Sequence, residues 1–74
     1  MWEINQRITE ITHEFVRANI PPGTTEILIP EDAQSIGGWA FYRCVSLKTI
    51  VIPEGVQSIG AWAFRNCTSL ESIV

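Results

Sequence analysis

Few of the side chains that can do acid–base chemistry lie together in this sequence. His13 is the only histidine, and Glu10 and Glu14 are its nearest carboxylates. A histidine beside a carboxylate is a minimal acid–base pair, but a catalytic site needs several convergent groups. No second histidine and no nucleophile close to His13 in sequence completes such a set. We therefore interpret His13 as part of a solvated helix face, and the sequence predicts neither an enzyme nor a cofactor.

Carboxylates also follow two prolines, at Glu31-Asp32 and at Glu54. Calcium binds about six to eight oxygens, and three carboxylates outside an Asp-Gly-rich loop make a weak case for such a site. The sequence therefore predicts solvated turns and no metal. Asn66-Cys67-Thr68 fits the N-glycosylation pattern, which we interpret as a chance match inside a repeat.

The remaining reactive groups are Cys44 and Cys67, which lie 23 residues apart. If the chain stacks with that period, the two residues lie about 5 Å apart, the spacing of paired strands. A disulfide can bridge such a separation. Free cysteine often fills a core as a small apolar side chain, so we expect two free thiols and leave the disulfide as the alternative.

The element that positions these residues is a stretch that the chain uses twice. Residues 30–51 and 53–74 align with an offset of 23, and 14 of the 22 aligned positions are identical. A fixed period of about 20 to 50 residues indicates a solenoid, in which each repeat is one coil. We therefore predict an α/β solenoid, with residues 24–74 forming about two full coils and an incomplete last rung.

Each repeat is predicted to supply two short strands. The first set covers residues 26–29, 49–52 and 72–74, and the second covers 35–37 and 58–60. The first set is short and rich in β-branched residues, and two of its strands end at a proline that cannot continue a ladder. Side chains alternate along a strand, so we expect these isoleucines inside: Ile27, Ile29, Ile36, Ile50, Ile52, Ile59 and Ile73. The segments WAFYRC and WAFRNC are predicted to cross back as a helical or 3₁₀ turn, with these core residues: Ala40, Phe41, Cys44, Leu47, Ala63, Phe64, Cys67 and Leu70.

Residues 1–23 precede the repeats and are predicted to form a helical N-terminal cap. Ile4, Ile8, Ile11 and Phe15 are spaced by four, three and four residues, which is one face of a helix over 3–19. The Pro21-Pro22-Gly23 sequence ends that helix. A solenoid needs its first coil covered, and we assign that role to the helix; a partner-binding amphipathic helix is the alternative.

Composition excludes some classes of partner. The net charge is −3, and only five Lys and Arg residues occur, which argues against a nucleic-acid or anionic-membrane surface. No apolar run approaches the roughly 18 residues of a transmembrane helix.

The repeated positions carry a family signature, S-I-G-x-x-A-F-x-x-C-x-S-L-x-x-I-x-I-P. The pattern resembles the BspA-type leucine-rich repeat, also called the Treponema pallidum leucine-rich repeat. The resemblance covers about residues 24–74, and the matching positions in the two copies are Ser35-Ile36-Gly37, Ala40-Phe41, Cys44, Ser46-Leu47, Ile50, Ile52-Pro53, Ser58-Ile59-Gly60, Ala63-Phe64, Cys67, Ser69-Leu70 and Ile73. It implies a right-handed solenoid with a parallel sheet along one face and a role in adhesion or protein binding. It also implies a cell-surface or secreted location, although the polar first ten residues lack the apolar core of a signal peptide.

Two outward rows of residues are the candidate protein-binding positions. Leu28, Val51 and Val74 are expected to form an apolar stripe on the sheet. The polar residues expected around the stripe are Glu26, Thr49 and Ser72, with Lys48 and Glu71 at its border. Trp39 and Trp62 form a second ladder, one tryptophan per repeat, because they also lie 23 residues apart.

The sequence leaves two functional hypotheses from different classes. The first is a non-enzymatic protein-interaction module that binds through the sheet face. The second is a structural piece of a longer array, or a chain that self-associates end to end, because the sequence stops at Val74 before the Ile-Pro that closes a rung. The partner's identity does not follow from the sequence in either case.

Overall fold

The computed structural model describes residues 2–4 and 6–74 of the chain. Seven short strands and one helix occur in that part. Their bounds in chain order are β1 Trp2–Glu3, β2 Glu10–Ile11, α1 His13–Asn19, β3 Glu26–Leu28, β4 Ser35–Ile36, β5 Thr49–Val51, β6 Ser58–Ile59 and β7 Ser72–Ile73. None of the described helices is long and apolar enough to cross a membrane.

The strands form two parallel sheets that the chain visits alternately. The first sheet has the order β1-β3-β5-β7, and the second has the order β2-β4-β6. We call each passage through both sheets a coil: coil 1 is residues 2–4 and 6–23, coil 2 is 24–46 and coil 3 is 47–69. Pairing joins Ile27 to Ile50 and Ile36 to Ile59, so the register reproduces the 23-residue period and confirms the two predicted sets of strands.

A third hydrogen-bonded ladder joins the crossing segments of coils 2 and 3. The backbone N–H groups of Trp39, Phe41 and Arg43 donate to carbonyl oxygens of coil 3, at 3.2, 2.8 and 2.9 Å. Within each segment the bonds span three residues, as in Cys44 N–H to Phe41 O at 3.2 Å. Trp39 and Arg43 have φ near +60°, so the segments are a series of tight turns and not the predicted helical or 3₁₀ turn.

The predicted helix over residues 3–19 is wrong for residues 3–4 and 6–12, and residue 5 lies outside the described residues. The helix begins only at His13, where the Thr12 side chain accepts a hydrogen bond from the Phe15 N–H at 3.0 Å. Before it, β1 pairs with β3 and β2 pairs with β4, so the N-terminal region is itself a coil. The helix ends at Asn19, before Pro21-Pro22, as predicted.

The misassignment has a physical cause in the spacing of the isoleucines. Ile4 and Ile11 are seven residues apart, which fits two turns of a helix. Ile29 and Ile36 are also seven residues apart; Ile29 directly follows β3 of the first sheet, and Ile36 lies in β4 of the second. The same spacing is therefore what one coil requires. The division of the chain at residue 23 stays a prediction, and both sheets continue across it.

The core lies between the sheets and is best enclosed in coil 2 and the first strand of coil 3. Phe41, Leu47 and Ile50 are fully buried. The other buried apolar residues come from coils 1 and 2, except for one alanine of coil 3: Ile4, Ile11, Val16, Ile20, Ile27, Ile29, Ala33, Ile36, Ala40 and Ala63. The phenyl rings of Phe41 and Phe64 stack with centroids 5.5 Å apart and planes 2° apart, so the repeat extends to individual side chains.

Two of the predicted core residues are not buried. Ile59 is 50% exposed and Ile73 is 52% exposed, whereas Ile36 and Ile50 at the same repeat positions are 1% and 0% exposed. Ile52, Phe64, Cys67 and Leu70 are only partly buried, and so is Cys44 in coil 2. In coil 3 and in residues 70–74 the cause is packing on one side alone, because the described residues place no further coil over them.

Candidate functional site

The outer face of the first sheet carries a continuous row of apolar side chains. Leu28 pairs with Val51, and Val74 continues the row through bonds from its N–H to Ile50 O and from Ile52 N–H to its own carbonyl, at 3.0 and 2.9 Å. Leu28 and Val51 are half-buried, and Val74 is 70% exposed. We call these three residues the sheet row. The structure brings them together as the sequence predicts.

Glu3 extends the sheet row at its N-terminal end. It pairs with Leu28 and is exposed. Sequence reasoning assigned Glu3 to a helix and missed this position. The signal that could have found it is the Glu3-Ile4 pair, which precedes Ile11 by the same interval that separates Leu28-Ile29 from Ile36.

A polar row runs beside the sheet row. Glu26, Thr49 and Ser72 are in register across β3, β5 and β7. The hydroxyl oxygens of Thr49 and Ser72 lie 3.2 Å apart in a hydrogen bond. This contact fixes two of the three side chains, so the apolar stripe has a defined hydrogen-bonding border.

Lys48 and Glu71 stand immediately before the polar row. Both side chains are exposed. The Lys48 carbonyl accepts from the backbone N–H groups of Glu71 and Ser72, at 2.8 and 3.1 Å. A positive and a negative group therefore occupy successive rungs at the border, as the sequence predicts.

Trp39 and Trp62 lie on the crossing segments and not on the sheet. Their rings stack with centroids 5.9 Å apart and an interplanar angle of 26°. The Arg65 guanidinium lies 4.4 Å from the Trp62 ring centroid, and Tyr42 meets Trp39 edge-on at 5.0 Å. Although both tryptophans are exposed, much of their ring surface already contacts neighbours, and such contacts stabilise the stacking of coils.

The two cysteines are free thiols, as predicted. The Cys67 thiol donates to the Phe41 carbonyl at 3.0 Å. Burial, with a smaller contribution from the nearby Cys67, raises the pKa of the Cys44 thiol to about 11. Burial also raises the pKa of Cys67. Thiols with raised pKa values are poor nucleophiles because the thiolate is the reactive form.

The remaining candidate groups stay apart from one another. Glu31, Asp32 and Glu54 are exposed, as predicted for solvated turns. Across residues 2–4 and 6–74, no group of three or more His, Cys, Asp or Glu side chains is arranged to hold a metal ion. His13 begins α1 and is partly exposed beside the exposed Glu14.

Comparison with family models places the chain in a class of repeat proteins. The model described as BspA type leucine rich repeat region (6 copies) matches residues 19–74, which is more than half of the chain. The protein belongs to this family. Leucine-rich repeats of this kind are generally non-enzymatic scaffolds, and such domains commonly mediate protein interactions. A search of curated proteins found no match. A search of solved structures found none either.

Proposed function

We propose that the chain is a non-enzymatic, adhesion-type protein-interaction module that binds its partner through the outer face of the first sheet. The observation that supports it most is the sheet row, in which three apolar side chains stand in register on neighbouring strands. An apolar patch with a polar rim is the usual anatomy of a protein interface. Solenoids commonly bind through such a repeated face.

The architecture behind this surface is an α/β solenoid whose N-terminal end is closed by coil 1. Support comes from burial, since Ile11 and Val16 of coil 1 are at most 5% exposed. The first coil therefore covers the core of coil 2 while keeping Ile11 and Val16 inside. A covered end is what a repeat array needs to remain soluble.

The test of the sheet face is Val51→Glu. The substituted carboxylate would lose water at the centre of the interface without gaining a partner, so we expect at least a tenfold loss of affinity. A partner is first captured by cross-linking to the wild-type chain, and its affinity is then measured by calorimetry. Circular dichroism should show an unchanged fold, because Val51 points away from the core.

Val45→Glu is the matched control. Val45 is an exposed valine on the coil 2 turn, away from the sheet. It introduces the same charge by the same substitution, and it should leave the affinity unchanged. Equal affinities for wild type and Val51→Glu would rule out the sheet row as the binding site.

A second candidate function is structural, with coil 3 receiving a further coil of the same repeat. The specific observation is the exposure of Ile59 and Ile73, which occupy positions that coil 2 buries completely. A further coil, supplied by the same chain or by another copy, would bury both side chains and pair with β6 and β7. Unpaired strand edges of this kind are sites of association.

Analytical ultracentrifugation over a range of protein concentrations tests the self-association form of this candidate. The substitution Ile59→Glu should weaken association through coil 3. Ile8→Glu, at the other end of the molecule, is not a suitable control because Ile8 packs against the core. Val45→Glu again serves as the control. A folded monomer at all concentrations would eliminate obligate self-association.

A further inference from the structure

A groove lies between α1 and the turn segment of coil 2. It has a volume of about 340 Å³, and its apolar lining includes Val16 and Ile20 at the helix, Ile27 in β3 and Ala40 in the turn segment. Coils 2 and 3 are joined on this side by the hydrogen bonds of the turn ladder. In coil 1 a helix takes the place of the turns, and a helix satisfies its own backbone, so the two elements do not close on each other.

The sides of the groove are held by local structure. The wall after α1 is the Pro21-Pro22-Gly23 turn, where the Thr24 hydroxyl donates to the Pro21 carbonyl at 2.8 Å. On the opposite wall, the Arg43 N–H donates to the Arg65 carbonyl at 2.9 Å. Both walls therefore have fixed backbones, which favours a preformed pocket.

The rim of the groove is basic in a chain that is acidic overall. His13, Arg17 and Arg43 line it, and no Asp or Glu does. The whole protein has five Lys and Arg residues against eight Asp and Glu, so two of its five permanent cations stand at one groove. The Arg43 guanidinium lies 5.6 Å from the Tyr42 ring centroid, a contact that limits its conformational freedom.

We propose that this groove binds a carboxylate carried by an apolar group. The apolar group would lie on Val16, Ile20 and Ala40, and the carboxylate would face Arg17 and Arg43. A volume of about 340 Å³ falls at the lower end of small-ligand pockets, roughly 300–1,000 Å³. The ligand is therefore a small carboxylic acid or the carboxyl-terminal residue of a peptide. The site is distinct from the sheet row and does not depend on the function proposed for it.

The test uses octanoate, below its micellar concentration, as the probe in an NMR titration of the full chain. Amide resonances of Arg17, Val45 and their neighbours should shift, and octanol should bind more weakly. Exposed ion pairs contribute little individually, so Arg17→Gln and Arg43→Gln should each weaken binding about threefold, and the double variant about tenfold. N-acetyl-dileucine and its carboxyl amide form the second pair of probes.

Arg7→Gln is the matched control, because Arg7 is exposed and does not line the groove. It should bind octanoate as wild type does. Val45→Glu, at the lip of the groove, should weaken binding by charge repulsion, whereas Val51→Glu should not. Arginine-dependent binding of either carboxylate supports the proposal, and the tighter one identifies the source of the ligand. Absence of binding, equal binding of octanoate and octanol, or an unchanged affinity in the double arginine variant would overturn it.

Discussion

The substitutions Ile36→Ala and Ile59→Ala make the same chemical change at one repeat position in successive coils. The two residues pair directly, Ile36 in β4 and Ile59 in β6. Ile36 is 1% exposed and Ile59 is 50% exposed. Because the local sequence Ser-Ile-Gly is identical at both sites, any difference in stability reports how far each coil is covered by its neighbours.

The expected magnitudes follow from burial. Replacing isoleucine by alanine removes about three methylene equivalents at about 0.8 kcal/mol each, or roughly 2.4 kcal/mol when the side chain is fully buried. A residual cavity adds to this at Ile36, so the expected loss there is about 3 kcal/mol. Ile59 is half solvated and leaves no closed cavity, so the expected loss is about 1 kcal/mol.

The difference is large relative to the whole stability of the protein. At about 0.05–0.15 kcal/mol per residue, a chain of 74 residues has roughly 4–11 kcal/mol of stability. Urea unfolding followed by far-ultraviolet circular dichroism measures both variants. Equal losses of unfolding free energy in the two variants would refute the reasoning. If both losses grew with protein concentration, a second copy of the chain would cover Ile59 in solution.

Three further changes test separate parts of the structure. Gly60→Ala would place a Cβ 2.8 Å from Gly38 Cα and should lower the unfolding free energy in urea by about 1–3 kcal/mol. Gly38→Ala, whose Cβ would meet only a 3.4 Å contact, should be nearly neutral. Equal effects of the two substitutions would contradict the close approach of the coils. Thr12→Ala removes the acceptor for the Phe15 N–H. It should lower the unfolding free energy by about 1 kcal/mol and the melting temperature by about 4–8 °C. An unchanged melting temperature would show that Thr12 does not cap the helix. The folded pKa of Cys44, about 11, exceeds the ordinary 9.0, so the stability that the protonated thiol contributes is complete below pH 9 and is lost as the pH rises to about 11. Cys44→Ala should reduce this loss of stability at high pH. An identical pH profile of stability in the variant and the wild type would argue against the raised pKa.

The repeat made most of the fold predictable. Two copies with 14 identities reveal which positions share a role, and strands β3 to β7 follow from the alternation around Ile27 and Ile50. The sheet row follows from the same alternation. Here local pattern and tertiary environment agree best for coil 2, because it has a neighbouring coil on each side.

The rest depends on tertiary context that a local pattern does not carry. Coil 1 keeps the seven-residue interval between Ile4 and Ile11 but few of the repeat's other residues, so helical periodicity competed with the repeat and gave the wrong element. Ile59 and Ile73 have the sequence of core residues and lack a covering coil. The groove was also beyond prediction, because it arises where the helix of coil 1 faces the turns of coil 2.

Methyl NMR of the chain bound to its captured protein partner tests the proposed binding surface most directly. The methyl groups of Leu28 and Val51 are partly exposed on the sheet, and those of Val45 are exposed on the coil 2 turn. Binding through the sheet face should shift or broaden the resonances of Leu28, Val51 and Val74 and leave those of Val45 and Ile59 unchanged. Changes confined to Val45 or Ile59, with the sheet row unaffected, would contradict the proposal.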